Sequence, residues 1–120
     1  MAHRVLLVED DAELREAMQT FLRSEGYDVC CAHDGAEALR VLWRGFQPCV
    51  ILLDLMLPRF DGFTFDEYHR ANPAWKDIPI IVLSGMDNLP QRLRDLRPAA
   101  WFKKPVDLDA LGTVIARYRS

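Results

Sequence analysis

Four short stretches carry side chains able to do chemistry. They are Glu9, Asp10 and Asp11 in VLLVEDD, Asp54 in VILLDLMLPRFDG, Ser84 in IPIIVLSG, and Lys104 in FKKPVD. Asp54 is the most demanding, because it follows the apolar residues Val50, Ile51, Leu52 and Leu53. A buried, unpaired charge costs several kcal/mol, on the order of what a small domain has to spare. Asp54 is therefore expected where a strand opens into a site. Clustered carboxylates repel one another and need a counter-charge. A hard divalent cation suits them, and magnesium takes one or two carboxylates together with waters and phosphate oxygens. A carboxylate beside a metal, a lysine and a serine can act as nucleophile toward a phosphoryl group. Cation and ammonium would then offset the charge on the phosphoryl oxygens.

That chemistry requires residues far apart in the chain to meet, so the elements between them decide the matter. Apolar runs at Arg4–Val8, Tyr27–Ala32, Val50–Leu53, Ile80–Leu83 and Ala100–Phe102 read as strands buried on both faces. Between them lie helical patterns. Leu14, Ala17, Met18, Phe21 and Leu22 form one apolar stripe, with Asp11 as N-cap and Gly26 past its end. Ala36, Leu39, Leu42 and Trp43 suggest a second helix, ended by Gly45 and Pro48. Phe63–Ala71 suggests a third, and Leu89–Leu96 a weaker fourth with Pro90 near its start. Leu108, Leu111, Ile115 and Tyr118 mark a last helix, with Asp107 as N-cap. This alternation predicts a doubly wound α/β fold, a five-stranded parallel sheet flanked by five helices with right-handed crossovers. Ligands of such sheets sit beyond the carboxyl ends of the strands. Glu9, Asp10, Asp54, Ser84 and Lys104 all fall there.

Composition narrows the alternatives. The chain has 120 residues, half of them hydrophobic, which suits a single domain over 1–120 with its own core. The net charge of −3 gives no reason to expect direct nucleic-acid binding. The basic residues are scattered, apart from Arg92, Arg94 and Arg97, which read as a solvated face. No apolar run approaches the roughly 20 residues of a membrane helix, so no membrane insertion is expected. The N-terminal apolar stretch is too short for a secretion signal. Cys30, Cys31 and Cys49 are odd in number and lack metal spacing. They read as buried free thiols in a reducing cytoplasm, with Cys30 and Cys31 on opposite faces of a strand. His3, His33 and His69 have no ligand spacing among them. His69 reads as a packed residue four beyond Phe65, and Trp75 as a loop anchor.

Taken together, VLLVEDD, ILLDLMLPRFDG, IPIIVLSG and FKKPVD, in this order, make the chain resemble the receiver domains of two-component response regulators, the CheY-like family. The likeness runs over nearly the whole length. It implies a flavodoxin-like sheet of strand order 2-1-3-4-5. It also implies roles. Asp54 would accept the phosphoryl group, and Asp10 would bind magnesium directly. Glu9 would bind it mostly through water, and Met56 would offer its backbone carbonyl. Lys104 would pair with the phosphoryl group, and Ser84 would hydrogen-bond it after phosphorylation. Trp101 matches the switch aromatic, and Pro105 would follow a cis peptide bond. The implied partners are a sensor histidine kinase or histidine phosphotransfer protein and an unknown downstream protein target. From the residues alone, Trp101 reads equally well as a half-buried packing residue, and Ser84 as a hydroxyl that satisfies backbone. Asp11 reads as a cap rather than a ligand, and Lys103 as a solvated neighbour of Lys104.

The chain departs from the family pattern between Ser84 and Lys104, where it is shorter and Arg97, Pro98 and Ala99 replace the customary Gly-Ala. The fourth helix is therefore expected to be short or irregular, and the customary dimer is not expected. Met56 and Met86 lie at positions that tune phosphoryl lifetime in the family. Apolar side chains there cannot orient an attacking water, so a long-lived aspartyl phosphate is expected. Gly85 leaves room for a small phosphodonor. Such a chain would catalyse only its own phosphorylation and dephosphorylation. Two other functions compete with this reading. A phosphorylation-independent interaction module would use the altered fourth-helix face. A small phosphohydrolase would want a second Asp two beyond the nucleophile, where Met56 stands.

Overall fold

The computed structural model describes residues 3–55, 62–85 and 98–119. Chain order among these residues is β1 (His3–Val8), α1 (Ala12–Ser24), β2 (Tyr27–Ala32), α2 (Gly35–Trp43), β3 (Val50–Asp54), α3 (Gly62–Ala71), β4 (Ile80–Ser84), β5 (Ala100–Lys103) and α4 (Leu108–Ala116). The helix expected over Leu89–Leu96, with its expected irregularity, lies outside the described residues. So do Met56, Met86, Arg92, Arg94 and Arg97.

The strands form one five-stranded sheet of order β2-β1-β3-β4-β5, and every neighbouring pair is parallel. The central strands β3 and β4 are buried at every position. Side chains alternate across them. Leu6, Val8, Ile51, Leu53 and Val82 pack under α2 and α3 with Ala38, Leu42, Phe65 and Trp75. Val5, Leu7, Val50, Leu52, Ile81 and Leu83 pack under α1 and α4 with Met18, Leu22, Leu111 and Ile115. The two cores are the two faces that continuous apolar strands demand.

The caps follow local chemistry. Asp11 accepts from the backbone N–H groups of Glu13 and Leu14 at the start of α1, and Asp107 accepts from Ala110 at the start of α4. Gly26 takes φ 92° after α1, a conformation that glycine adopts without strain. In α4, a Cβ on Gly112 would meet the Phe21 ring at 3.0 Å, so the missing side chain lets α4 approach α1 closely.

Some expectations need correction. On α2 the buried positions are Gly35, Ala38 and Leu42, whereas Trp43 is 73 % exposed. Trp43 lies at the end of the helix and turns its ring edge-on to Trp75, with centroids 5.2 Å apart, instead of entering the core. The three cysteines are free but half-buried rather than buried. Cys30 packs on the α2–α3 side of the sheet and Cys31 on the α1–α4 side, the opposite faces expected of adjacent strand residues. Trp75 is a buried anchor in the turn after α3, as its sequence context suggests.

Candidate functional site

Parallel pairing brings the carboxyl ends of β1, β3, β4 and β5 together. Val8 is in register with Leu53, Asp54 with Leu83, and Ser84 with Lys103. The last rungs extend just past the strands: the Leu55 N–H donates to the Leu83 carbonyl at 3.3 Å, and the Lys104 N–H to the Ser84 carbonyl at 2.8 Å. Asp54 closes β3, Ser84 closes β4, and Glu9 and Asp10 follow β1 directly. The sheet itself therefore places every one of these groups on one rim.

Glu9, Asp10 and Asp54 each offer a carboxylate oxygen, and these oxygens lie within 4.8 Å of one another. Glu9 is 0 % exposed and Asp54 is 2 % exposed, while Asp10 faces solvent. Lys104 reaches across from the end of β5. Its Nζ lies 2.7 Å from Glu9 Oε1 and donates to Asp54 Oδ2 at 3.2 Å. Among the described residues, the Lys104 ammonium thus bridges two of the three carboxylates.

Burial and the neighbouring charges both act on titration at this rim. Burial pushes the Glu9 carboxyl up to about 7; the Lys104 ammonium and the Asp11 N–H act against the rise, while Asp54 adds to it. For Lys104, burial favours the neutral amine, but the Glu9 and Asp54 carboxylates outweigh it and hold the ammonium above its ordinary value.

The turn between β1 and α1 is tightly tied. The Glu9 N–H donates to the Ala32 carbonyl at 3.0 Å, and Glu9 Oε2 accepts from the Asp11 N–H at 3.1 Å. Arg15 Nη1 donates to the Glu9 carbonyl at 2.8 Å and reaches the Asp10 carbonyl at 3.4 Å. Nothing in the spacing of charged residues singled out Arg15, because its partners are backbone carbonyls that no side-chain motif displays.

The other expected positions fall as follows. Ser84 is wholly buried at the end of β4, the strand that neighbours β3. Gly85 is exposed, with nothing within 4 Å of where a Cβ would stand. Trp101 lies on the edge strand β5, opposite Val82, and is 42 % exposed. The Lys104–Pro105 peptide bond is cis. Met56 and Met86, expected beside the site, are outside the described residues. Asp11 spends its carboxylate on the α1 cap, as expected. His69 is buried with its ring nitrogen Nε2 2.9 Å from the Ile78 carbonyl, far from the rim.

Among the described residues, no helix is long and apolar enough to cross a membrane. The family model for the response regulator receiver domain matches residues 5–116. Response regulator MprA of Mycobacterium ulcerans (strain Agy99) is 36 % identical over an alignment of 122 residues covering 100 % of this chain and 50 % of that protein. The chain thus spans about half the length of the curated relatives it matches. Among solved structures, chemotaxis response regulator CheY4 of Vibrio cholerae superposes with a TM-score of 0.87 at 27 % identity, covering 99 % of this chain and 100 % of that one. The receiver domain of sensor histidine kinase PA1611 from Pseudomonas aeruginosa PAO1, solved with a magnesium ion in its active-site cleft, gives 0.86 at 28 % identity, covering 98 % of each chain. With the sheet order, the acidic rim and the family match in agreement, the chain belongs to the response regulator receiver domains of two-component signalling.

Proposed function

We propose that Asp54 accepts a phosphoryl group from a phosphohistidine of a sensor histidine kinase or a histidine phosphotransfer protein, and that the phosphorylated domain signals to a downstream protein. The observation that carries this is the convergence of three carboxylates on one rim with Lys104 bridging two of them. An Asp54 oxygen attacks phosphorus, the bond to the donor nitrogen breaks, and the imidazole leaves. Asp keeps the nucleophile short, and its place on the last rung of β3 holds it rigidly.

The residues fit a divalent cation, since the donors are hard oxygens and the cluster carries excess negative charge. Glu9, Asp10 and Asp54 would hold magnesium, with the Met56 carbonyl as a further donor. When bound, it would supply positive charge against the phosphoryl oxygens. Lys104 is poised to leave Asp54 for a phosphoryl oxygen while retaining Glu9. Ser84, at the neighbouring strand end, supplies a hydroxyl for the same group. Its movement would be felt by Trp101, and the exposed edge at β5 is where a target would sense it. Gly85 keeps the approach open, while Met56 and Met86 would leave the aspartyl phosphate without a polar group to orient water. Turnover is confined to the domain's own phosphoryl group, and the setting is the cytoplasm, where the kinase's phosphohistidine is found. A phosphorylation-independent interaction module would not need the acidic cluster and Lys104 to be intact, and it is the less favoured reading.

The test is intact mass after incubation with acetyl phosphate and magnesium, followed by borohydride reduction and peptide mapping. A single adduct at Asp54, absent in Asp54→Asn and without magnesium, supports the proposal. A folded protein that takes no adduct, or takes it elsewhere, refutes it.

A further inference from the structure

The acidic turn after β1 carries two kinds of positive charge, used in different ways. Lys104 touches carboxylates. Arg15 does not: its guanidinium donates to the main-chain carbonyl of Glu9 at 2.8 Å and reaches that of Asp10 at 3.4 Å. Its own backbone N–H donates to the Asp11 carbonyl at 2.9 Å. That last bond is the ordinary helical one, so the Arg15 side chain itself grips two consecutive acidic residues through their backbone and leaves the Glu9 and Asp10 carboxylates to other partners.

This has a physical consequence. These carbonyls follow the strand, and they sit where a short turn must lead into a helix. A carbonyl held by a charged donor fixes its peptide plane, and with it the direction in which the side chains leave the main chain. Without that hold, three adjacent carboxylates would relieve their repulsion by turning apart. The guanidinium also brings a permanent positive charge close to the cluster without occupying an oxygen that a cation would need.

We propose that Arg15 is a positioning residue for the cation site: it braces the β1–α1 turn so that Glu9 and Asp10 converge on Asp54 before any cation arrives. The inference rests on the reading of this rim as a divalent-cation and phosphoryl site.

Magnesium binding to the full chain, followed by calorimetry, tests it with Arg15→Ala, Arg15→Gln and Arg15→Lys. Outer partners of metal ligands are worth about 10- to 100-fold in affinity. Arg15→Ala should weaken magnesium binding by about 10-fold, and Arg15→Lys, which keeps a charged donor, should recover part of the loss. Labelling by acetyl phosphate should fall at low magnesium and return to the wild-type rate at saturating magnesium, because the reacting groups are untouched. Slower backbone hydrogen exchange at Asp10 and Asp11 in the metal-free wild type than in Arg15→Gln would support the brace independently, even if Arg15→Ala unfolds. Unchanged magnesium affinity in folded variants would overturn the proposal. So would a labelling rate that stays low at saturating magnesium. If instead the wild type binds no magnesium, the reading of the rim fails and the brace falls with it.

Discussion

Two ends of one sheet bury charge in opposite ways. At the amino ends of β4 and β5, Asp66 is almost wholly buried, yet Arg70 answers it across one helical turn, with Nε 2.7 Å from Oδ2. Next to it, burial pushes the His69 ring toward its neutral form, even though Nε2 meets the Ile78 carbonyl, which acts in the opposite direction. Burial also raises Asp66, with Arg70 opposing. Trp75 closes this end with apolar bulk. At the carboxyl ends of β1 and β3, Glu9 and Asp54 are as deeply buried, and Lys104 contacts both while the Asp10 carboxylate lies within 4.8 Å of theirs. One end matches each charge with a partner or removes it. The other keeps a surplus. Unmatched burial is costly and persists where the site has work to do.

The sharpest way to break the comparison is at the balanced end. Trp75→Ala should cost about 3–5 kcal/mol of stability by urea unfolding while leaving the initial rate of acetyl phosphate labelling unchanged in folded protein. A change in that rate would show that the two ends are not separable. The reverse test is Lys104→Ala, which should slow labelling by about 100-fold, the effect of removing one preorganised charge from a reacting centre. A rate within a few-fold of the wild type would mean that the ammonium serves only to neutralise Glu9.

Smaller effects sharpen the contrast. Arg70→Met leaves the Asp66 carboxylate without its cation, but Arg70 is half exposed, so water screens much of the loss. A decrease of about 1–2 kcal/mol in unfolding free energy is expected. The smallest effect is on pH dependence. The folded pKa of His69 lies below its unfolded value, so the stability it confers is complete above pH 6.5 and is lost as pH falls through the folded pKa. His69→Gln should therefore flatten the acid side of the stability profile, read as urea midpoints at pH 7.5 and at progressively lower pH. A wild-type and variant profile of the same slope would contradict the assignment.

Much of this was legible in the residues. The apolar runs gave all five strands within a residue or two. Burial on both faces accounts for the unbroken runs of β3 and β4, whereas the edge strands β2 and β5 carry exposed positions such as Asp28 and Trp101 and are not buried on both faces as expected. The caps Asp11 and Asp107 were readable for the same local reason. Asp34, which caps α2 by accepting from the Glu37 N–H, was missed, although Glu37 stands three residues on in the pattern of a capping box. The exposure of Trp43 was not readable, because a helical stripe marks a face but not which flank of it the neighbouring helix covers. The acidic rim was readable because strand ends in a parallel sheet converge. The depth of Glu9, the Asp66–Arg70 pair and the hold of Arg15 on the acidic turn were not. The depth of Glu9 and the hold of Arg15 depend on where a side chain lands in three dimensions and, for Arg15, on main-chain partners that no motif displays. Asp66 and Arg70 stand at the i,i+4 spacing of a helical ion pair, but the burial of Asp66 is not written in that spacing.

The most direct test of the surplus at the carboxyl end is urea unfolding of wild type and Asp54→Asn, each with and without saturating magnesium. Matched charges need no added cation, whereas a surplus is relieved by one. The wild type should gain stability with magnesium, rising with the logarithm of its concentration above the Kd, and Asp54→Asn should gain distinctly less while being the more stable of the two without it. Equal stability of the two proteins without magnesium, and no gain for the wild type with it, would contradict the account.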